Sequence, residues 1–232
     1  MLVEGVKTDV RLMRAMLDVF EISAEYKIVS YNTNIYSLYD EMFNGNDPED
    51  MDILQTLKSR AKDPEQRKVF DDMYTDILLV FDLDMQDARF SPTHLLEMQR
   101  YFAESSDMGK LYINYPMVES FYHMGSFPDP EYMCRKVGVS ELRDYKQRVN
   151  RETKGRDYRK YAATQMDWIY VIEQNLQKGF MLVDKTPANA TPNAEAIMNR
   201  QFNEIEKSQT FFVLCTCIFF IADYNPNLLK IE

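Results

Sequence analysis

A run of apolar residues in the middle of the chain ends at three closely spaced aspartates. Residues 77–81 are all apolar, which is typical of a strand buried on both faces, and Asp82, Asp84 and Asp87 follow at once. Because side chains alternate along a strand, Asp82 and Asp84 are expected on the same side as the chain leaves the sheet. Such carboxylates either bind a hard cation such as Mg²⁺ or form an acidic turn that caps the next helix. The spacing alone leaves both interpretations open.

Two further acids are expected at the same edge. Glu4 follows the short apolar segment at the start of the chain, and Glu119 follows the predicted strand 110–114. Ligands of a parallel sheet bind beyond the carboxyl ends of its strands, so acids after three different strands converge there. This convergence favours a metal site. Glu119 also lies in the first turn of a predicted helix, where the helix dipole stabilises a carboxylate that has no catalytic role. Whether Glu119 supports the metal site therefore stays open.

The remaining pattern predicts the elements that position these acids. Strands are expected at residues 1–5, 26–31, 75–82 and 110–114, with one helix after the first strand, three after the second and one after each of the others. Alternation of this kind without hairpin turns predicts a parallel sheet flanked by helices. Beyond about residue 123 the strand signal disappears and helical patterns follow. We therefore expect an α/β domain over residues 1–123 and a helical C-terminal portion, residues 124–232, packed on it.

The charge of the chain constrains its partners. The net charge is -10, which repels nucleic acid in bulk. One segment, residues 135–160, is the exception, with ten Lys or Arg against four Asp or Glu. It is either a solvated helical face or a surface that tracks phosphates. The candidate phosphate-binding residues are Lys7, Arg143, Lys146, Arg148, Arg151 and Lys154.

Cysteine content and hydropathy indicate the cellular setting. The three cysteines are too few for a disulfide framework or a zinc site and are typical of reduced thiols. The apolar run 211–222 is too short to span a bilayer and is better interpreted as buried core. No signal peptide is visible at the start of the sequence. We expect a cytoplasmic protein that does not enter a membrane.

Two of these motifs resemble a known family. Residues 2–9, Leu-Val-Glu-Gly-Val-Lys-Thr-Asp, are similar to the opening motif of Toprim domains, and residues 81–87, Phe-Asp-Leu-Asp-Met-Gln-Asp, are similar to their Asp-x-Asp motif. The order of the two motifs also matches. Within the Toprim proteins the resemblance is to the RloB-like and overcoming-lysogenization-defect nucleases of phage-defence loci, and it covers roughly the first half of the chain.

The resemblance implies roles for individual residues. Glu4 would act as a general acid or base or as a metal ligand, and Asp82 and Asp84 would hold Mg²⁺ or Mn²⁺, with Asp87 as a further ligand. Two features depart from the family: the first strand is very short, and the net charge is unfavourable for a nuclease acting alone.

The resulting functional hypothesis is a Mg²⁺-dependent nuclease acting on DNA or RNA. The resemblance alone implies that it is an effector of anti-phage defence controlled by a partner ATPase, and a homodimer is one option for its assembly. The alternative from another class is a non-catalytic regulatory subunit that keeps the fold and binds a nucleotide or the partner.

Overall fold

A four-stranded parallel sheet forms the centre of the fold. The structure is a computed structural model of the chain, and it describes residues 1–45, 47–61, 63–105, 108–153, 161–183 and 191–230. The strands of this sheet are β1 (Leu2–Val3), β2 (Val29–Ser30), β3 (Leu78–Asp82) and β4 (Lys110–Asn114). They lie in the order β2-β1-β3-β4 and every neighbouring pair is parallel. The predicted α/β class with a parallel sheet flanked by helices is confirmed.

The helices between the strands occur in the predicted order. They are α1 (Thr8–Val19), α2 (Ile35–Met42), α3 (Ile53–Arg60), α4 (Pro64–Val69) and α5 (Pro92–Tyr101). Local capping explains several of their starts: Asn34 accepts the backbone N–H of Ser37, and Ser91 precedes a proline in the first turn of α5. Helix α1 is an exception, because Lys7 at its cap position makes no side-chain hydrogen bond.

The C-terminal portion is largely helical but also contains strands. Its helices are α6 (Tyr145–Glu152), α7 (Gln165–Leu182), α8 (Ala194–Ser208) and α9 (Phe220–Tyr224). A small antiparallel sheet pairs β5 (Lys136–Gly138) with β6 (Thr210–Phe212). The prediction that strands end near residue 123 is therefore wrong. Each of these strands has three residues, which is too few to give a periodic signal in the sequence. Strand β6 is also held by the buried side chain of Gln201, which donates to the carbonyl of Phe212 and accepts its N–H, both at 2.9 Å.

The C-terminal portion shares its core with the parallel sheet. The apolar run 211–222 is buried, as predicted, and lies beside β4. Leu214 and Tyr115 exchange backbone hydrogen bonds of 2.8 and 2.9 Å, and the hydroxyl of Thr216 donates to the carbonyl of Ile113 at 2.7 Å. A domain boundary at residue 123 stays a prediction. No helix in the described ranges is long and apolar enough to cross a bilayer.

The strand order fixes where a ligand can bind. From β1 the chain moves to β2 on one side of the sheet, and from β2 it crosses to β3 on the other side of β1. The direction in which successive strands are added to the sheet therefore reverses between β1 and β3, although all four strands are parallel. In open α/β sheets the crevice for ligands lies at this reversal, outside the carboxyl ends of the strands. Glu4 and Asp82 stand at those two ends.

Candidate functional site

Glu4 and Asp82 are direct neighbours at the carboxyl edge of the sheet. The backbone N–H of Glu4 extends the β1–β3 pairing by donating to the carbonyl of Val80 at 3.1 Å. The Glu4 carboxylate turns back over β3, where its Oε2 accepts the backbone N–H of Asp82 at 3.1 Å. Two acids separated by 78 positions in sequence are thus brought together by strand pairing.

Two more carboxylates approach this pair. Asp9, in the first turn of α1, is buried, and its Oδ2 accepts the backbone N–H of Gly5 at 2.7 Å. A Cβ at position 5 would lie 2.8 Å from Oδ1 of Asp9, so a larger residue than glycine there would displace the Asp9 carboxylate. Glu119 lies on a 3₁₀ turn, Val118–Tyr122, and is 3% exposed. Its Oε2 is buried and makes no hydrogen bond within the described residues.

One ammonium group faces these four acids. Lys146 on α6 places its Nζ 2.9 Å from Oε1 of Glu119. Its positive charge also acts on Asp9, Asp82 and Glu4. We call Glu4, Asp9, Asp82, Glu119 and Lys146 the carboxylate cluster. One cation against four carboxylates leaves the cluster strongly anionic whenever the acids are ionised.

The cluster holds protons that isolated acids would lose. Burial, opposed by the Asp82 N–H and Lys146 and reinforced by Asp84 and Asp9, raises the pKa of Glu4 to about 8. Burial first, and then the charges of Glu4, Asp9 and Glu119, raise the pKa of Asp82 well above its usual range. Burial also raises the pKa of Asp9. At neutral pH the cluster therefore retains protons unless a further cation neutralises it.

Asp82 is oriented from the C-terminal portion of the chain. Asn114, at the end of β4, donates its Nδ2 to Oδ1 of Asp82 at 3.2 Å. The other side of the same amide, Oδ1, accepts the backbone N–H of Cys217 at 3.2 Å. Asn114 is fully buried, so its position is fixed by these partners. The sequence signal for Asn114 is its place at the end of β4, since strand ends share the ligand-binding edge.

The Asp-x-Asp pair is divided by a turn. Asp84 has a φ of 39°, so the regular alternation of the strand stops there. The acids that raise the pKa of Asp82 are Glu4, Asp9 and Glu119, whereas the charge of Asp84 acts on Glu4. The Asn34 Nδ2 is 3.4 Å from Oδ2 of Asp84. Asp84 therefore lies at the margin of the carboxylate cluster.

Asp87 is already paired. Arg89 donates Nε to its Oδ1 at 3.0 Å and Nη2 to its Oδ2 at 2.8 Å, and the Asn34 amide donates to Oδ2 at 2.6 Å. Arg89 is anchored in turn by Asp40. These bonds hold the pKa of Asp87 well below its usual range. Asp87 thus acts here as the partner of an arginine, a role that the sequence interpretation missed.

The carboxylates do not already form a chelate. Within the described residues, no three His, Cys, Asp or Glu side chains stand in an arrangement that would hold a metal ion. The donor chemistry nevertheless fits a hard cation: the groups are carboxylate oxygens, one of them is buried without a partner, and Glu4 and Asp82 have raised pKa values.

The predicted phosphate-binding residues divide into two groups. Lys146 lies in the carboxylate cluster, and Arg148 bonds Glu141 at 3.1 Å and Glu152 at 2.8 Å. The others that the structure describes are exposed: Lys7, Arg143 and Arg151. Lys154 lies outside the described residues. Two of the six candidates therefore serve to balance acids of the protein itself.

Helix α6, which carries Lys146, is locked in place by a buried histidine. The ring of His123 contacts the Tyr145 hydroxyl at 3.0 Å through Nδ1 and the Glu152 carboxylate at 2.7 Å through Nε2. Burial lowers the pKa of His123 to about 4, so the ring is neutral at physiological pH. Both ends of the helix are thus fixed to one residue next to the 3₁₀ turn of Glu119.

We predict that Lys146 and Glu119 depend on each other. Lys146→Met should lower the free energy of unfolding by about 1 kcal/mol, because it removes the counter-ion of the buried Glu119 carboxylate, although the Lys146 side chain is itself 62% exposed to solvent. Chemical denaturation measures the change. Lys207→Met, on the exposed face of α8, is the control and should change stability by less than about 0.5 kcal/mol. The double variant Lys146→Met/Glu119→Gln should recover part of the loss. Equal effects at positions 146 and 207 would contradict the ion pair.

We also predict a pH dependence of stability that comes from Glu4. Its pKa is raised from 4.5 to about 8 on folding, so between these values the folded protein keeps a proton that the unfolded chain has released. The contribution to stability therefore falls as pH rises from 4.5 to 8, by at most about 1.4 kcal/mol per pH unit. Glu4→Gln should reduce this slope in denaturation series, and the exposed Glu206→Gln should not. Parallel curves for wild type and Glu4→Gln would contradict the raised pKa.

Comparisons with known proteins give no relatives for this arrangement. No family model matches the chain, and neither the curated proteins nor the solved structures give a match. The function has to be argued from the residues of the carboxylate cluster and their chemistry.

Proposed function

We propose that this protein is a metal-dependent nuclease of the Toprim type, which hydrolyses phosphodiester bonds of DNA or RNA. The observation that carries the proposal is the carboxylate cluster. It lies at the carboxyl ends of β1 and β3, where the order of strand addition reverses. Four acids are drawn together there, and the pKa values of Glu4 and Asp82 are raised. A cluster of this kind at the ligand-binding edge of a parallel sheet is suited to a divalent cation.

Asp82 is the residue that would hold Mg²⁺ or Mn²⁺, and Glu4 lies beside it as the proton-transfer group. The buried Oε2 of Glu119 is a further oxygen donor, and Asp84 adds negative charge beside Glu4. When bound, the ion supplies positive charge for the phosphoryl oxygens and makes water a better nucleophile. Asp87, a predicted ligand, is better assigned to positioning the loop after β3 through Arg89.

The residues of the chain supply proton transfer and charge. Glu4 has a pKa of about 8, close to physiological pH, as a general acid or base requires. Its Oε2 is engaged by the Asp82 N–H, which leaves Oε1 as the atom that takes or gives the proton. Lys146 brings an ammonium to the same place, where it can balance a phosphate as well as Glu119. Asn114 keeps Asp82 oriented toward the cluster.

The biological setting follows from the resemblance alone. We propose a cytoplasmic effector of anti-phage defence whose partner ATPase supplies affinity for nucleic acid. The net charge of -10 supports the need for such a partner, because the isolated chain repels phosphates.

One observation favours a second candidate. Lys146 already neutralises part of the carboxylate cluster, and the described residues contain no preformed group of metal ligands. Both features suit a regulatory subunit that keeps the fold without catalysis. The two candidates differ in whether a divalent cation binds to Asp82.

We predict that Mg²⁺ or Mn²⁺ at millimolar concentration raises the melting temperature. Asp82→Asn should abolish this response, because it removes a carboxylate of the cluster, and should slightly stabilise the metal-free protein by relieving repulsion. Asp87→Asn is the matched control and should keep the response, since its carboxylate is held by Arg89. Thermal melting with and without the ion measures both.

Activity is the second readout of this prediction. Glu4→Gln should lower hydrolysis of nucleic acid by at least about a hundredfold while retaining much of the metal response. Hydrolysis is assayed with Mn²⁺, with and without the proposed ATPase. A melting temperature that no divalent ion moves, together with no hydrolysis in either condition, would favour the regulatory subunit.

A further inference from the structure

A cavity lies at the end of β2, the strand next to β1 and Glu4. It has a volume of about 310 Å³ and lies between the edge of the sheet and helices α3 and α4. One of its walls is formed by residues 30–33, whose backbone is bonded to Glu4: the N–H of Asn32 donates to the Glu4 carbonyl at 3.1 Å. This wall is therefore bonded directly to the backbone of the proposed acid–base residue.

The lining of the cavity suits a flat, uncharged and polar ring. Its floor is apolar, made by Leu2, Leu57 and Phe70. Its rim carries the aromatic ring of Tyr31, with the Arg60 guanidinium 5.6 Å from the ring centroid. Because the guanidinium lies over one face of the Tyr31 ring, the outer face of Arg60 is the surface on which a nucleobase would stack.

The positive charge of Arg60 does not require the ligand of the cavity to be an anion. Arg60 forms an ion pair with Glu41, and Glu41 also accepts the hydroxyl of Tyr31 at 2.9 Å. The Tyr31 ring is held from behind by Phe81, edge to face at 5.7 Å. The aromatic wall is therefore rigid, and its positive charge is already balanced. A neutral ligand fits it better than a free phosphate does.

Two side-chain amides are available to read the edge of a ring. Asn32 and Gln66 both line the cavity, and neither amide makes a hydrogen bond to the part of the chain that the structure describes. An amide both donates and accepts, which matches the mixed edge of a nucleobase. The cavity thus combines a stacking surface, apolar side chains and polar groups that bond no described residue.

We infer that this cavity binds one unpaired nucleobase of the nucleic-acid strand. A base in a duplex is stacked and paired, so its faces and its edge can contact the cavity only after it has left the helix. The substrate class is therefore single-stranded or locally opened nucleic acid, with the base beside the bond to be cut. That last statement rests on the proposed nuclease function, whereas binding of the base itself does not.

Ligand-observed NMR tests the binding directly. The probes are the ribonucleoside and deoxyribonucleoside monophosphates at millimolar concentration, with ribose 5-phosphate as the probe that lacks a base. Saturation should pass from the protein to the aromatic base protons and not to ribose 5-phosphate. Arg60→Met and Gln66→Leu should each weaken binding, by about tenfold for the loss of stacking at Arg60.

The controls separate the cavity from the carboxylate cluster. Gln55→Leu, an exposed position on α3 outside the cavity, should bind like the wild type, and so should Asp82→Asn. Thermal melting of every variant identifies any change that comes from unfolding. Equal transfer to base protons in wild type and Gln66→Leu, or no transfer in the wild type, would overturn the inference.

A cleavage experiment distinguishes this inference from the proposed function. Single strands of DNA and of RNA, intact or with one abasic position, are compared with the matching duplexes in Mn²⁺. The cavity predicts cleavage of the intact single strands, reduced when the abasic site occupies the cavity. Equal cleavage of intact, abasic and duplex substrates would overturn the inference and support the nuclease. Base binding without any cleavage would support the cavity and contradict the nuclease.

Discussion

The candidate site depends on the free energy needed to ionise four carboxylates that lie together around the ammonium of Lys146, at the carboxyl ends of β1 and β3. Strand pairing forces Glu4 beside Asp82, and the first turn of α1 and the 3₁₀ turn after β4 add Asp9 and Glu119. Burial, and after it the nearby like charges, raise the free energy of the ionised form, so each acid either keeps its proton or binds a cation. The raised pKa values of Glu4 and Asp82 are the first of these responses. A divalent ion would be the second.

The C-terminal portion completes this site and does more than cover the sheet. The segment around Cys217 fixes Asn114, and Asn114 orients Asp82. Helix α6 brings Lys146 to Glu119 and is itself held by His123. These contacts orient Asp82 and Glu119, whereas Glu4 is held by the backbone of β3. Each half of the chain therefore contributes residues to a single site.

The parallel sheet could be predicted because its signals are local. Strand β3 is a continuous apolar run, and the predicted alternation of strands and helices is the one observed. The convergence of Glu4 and Asp82 followed from the rule that strand ends share an edge. The pairing of Asp87 with Arg89 could not be found this way, because it depends on a turn in which Asp84 has a positive φ. Strands β5 and β6 were missed since each is short and is paired through residues distant in sequence.

The most direct test of the account is the number of protons released when Mn²⁺ binds. Titration calorimetry at pH 7 in buffers of different ionisation enthalpy measures this number. Because the pKa of Glu4 is about 8, Glu4 is mostly protonated at pH 7, and a cation bound at the neighbouring Asp82 favours its ionised form. Asp82, whose pKa is also raised, has to ionise to bind the cation. The account predicts release of at least about one proton at pH 7 and fewer above about pH 9, where Glu4 is already ionised. Binding heats that are the same in every buffer at pH 7, or no binding at all, would contradict it.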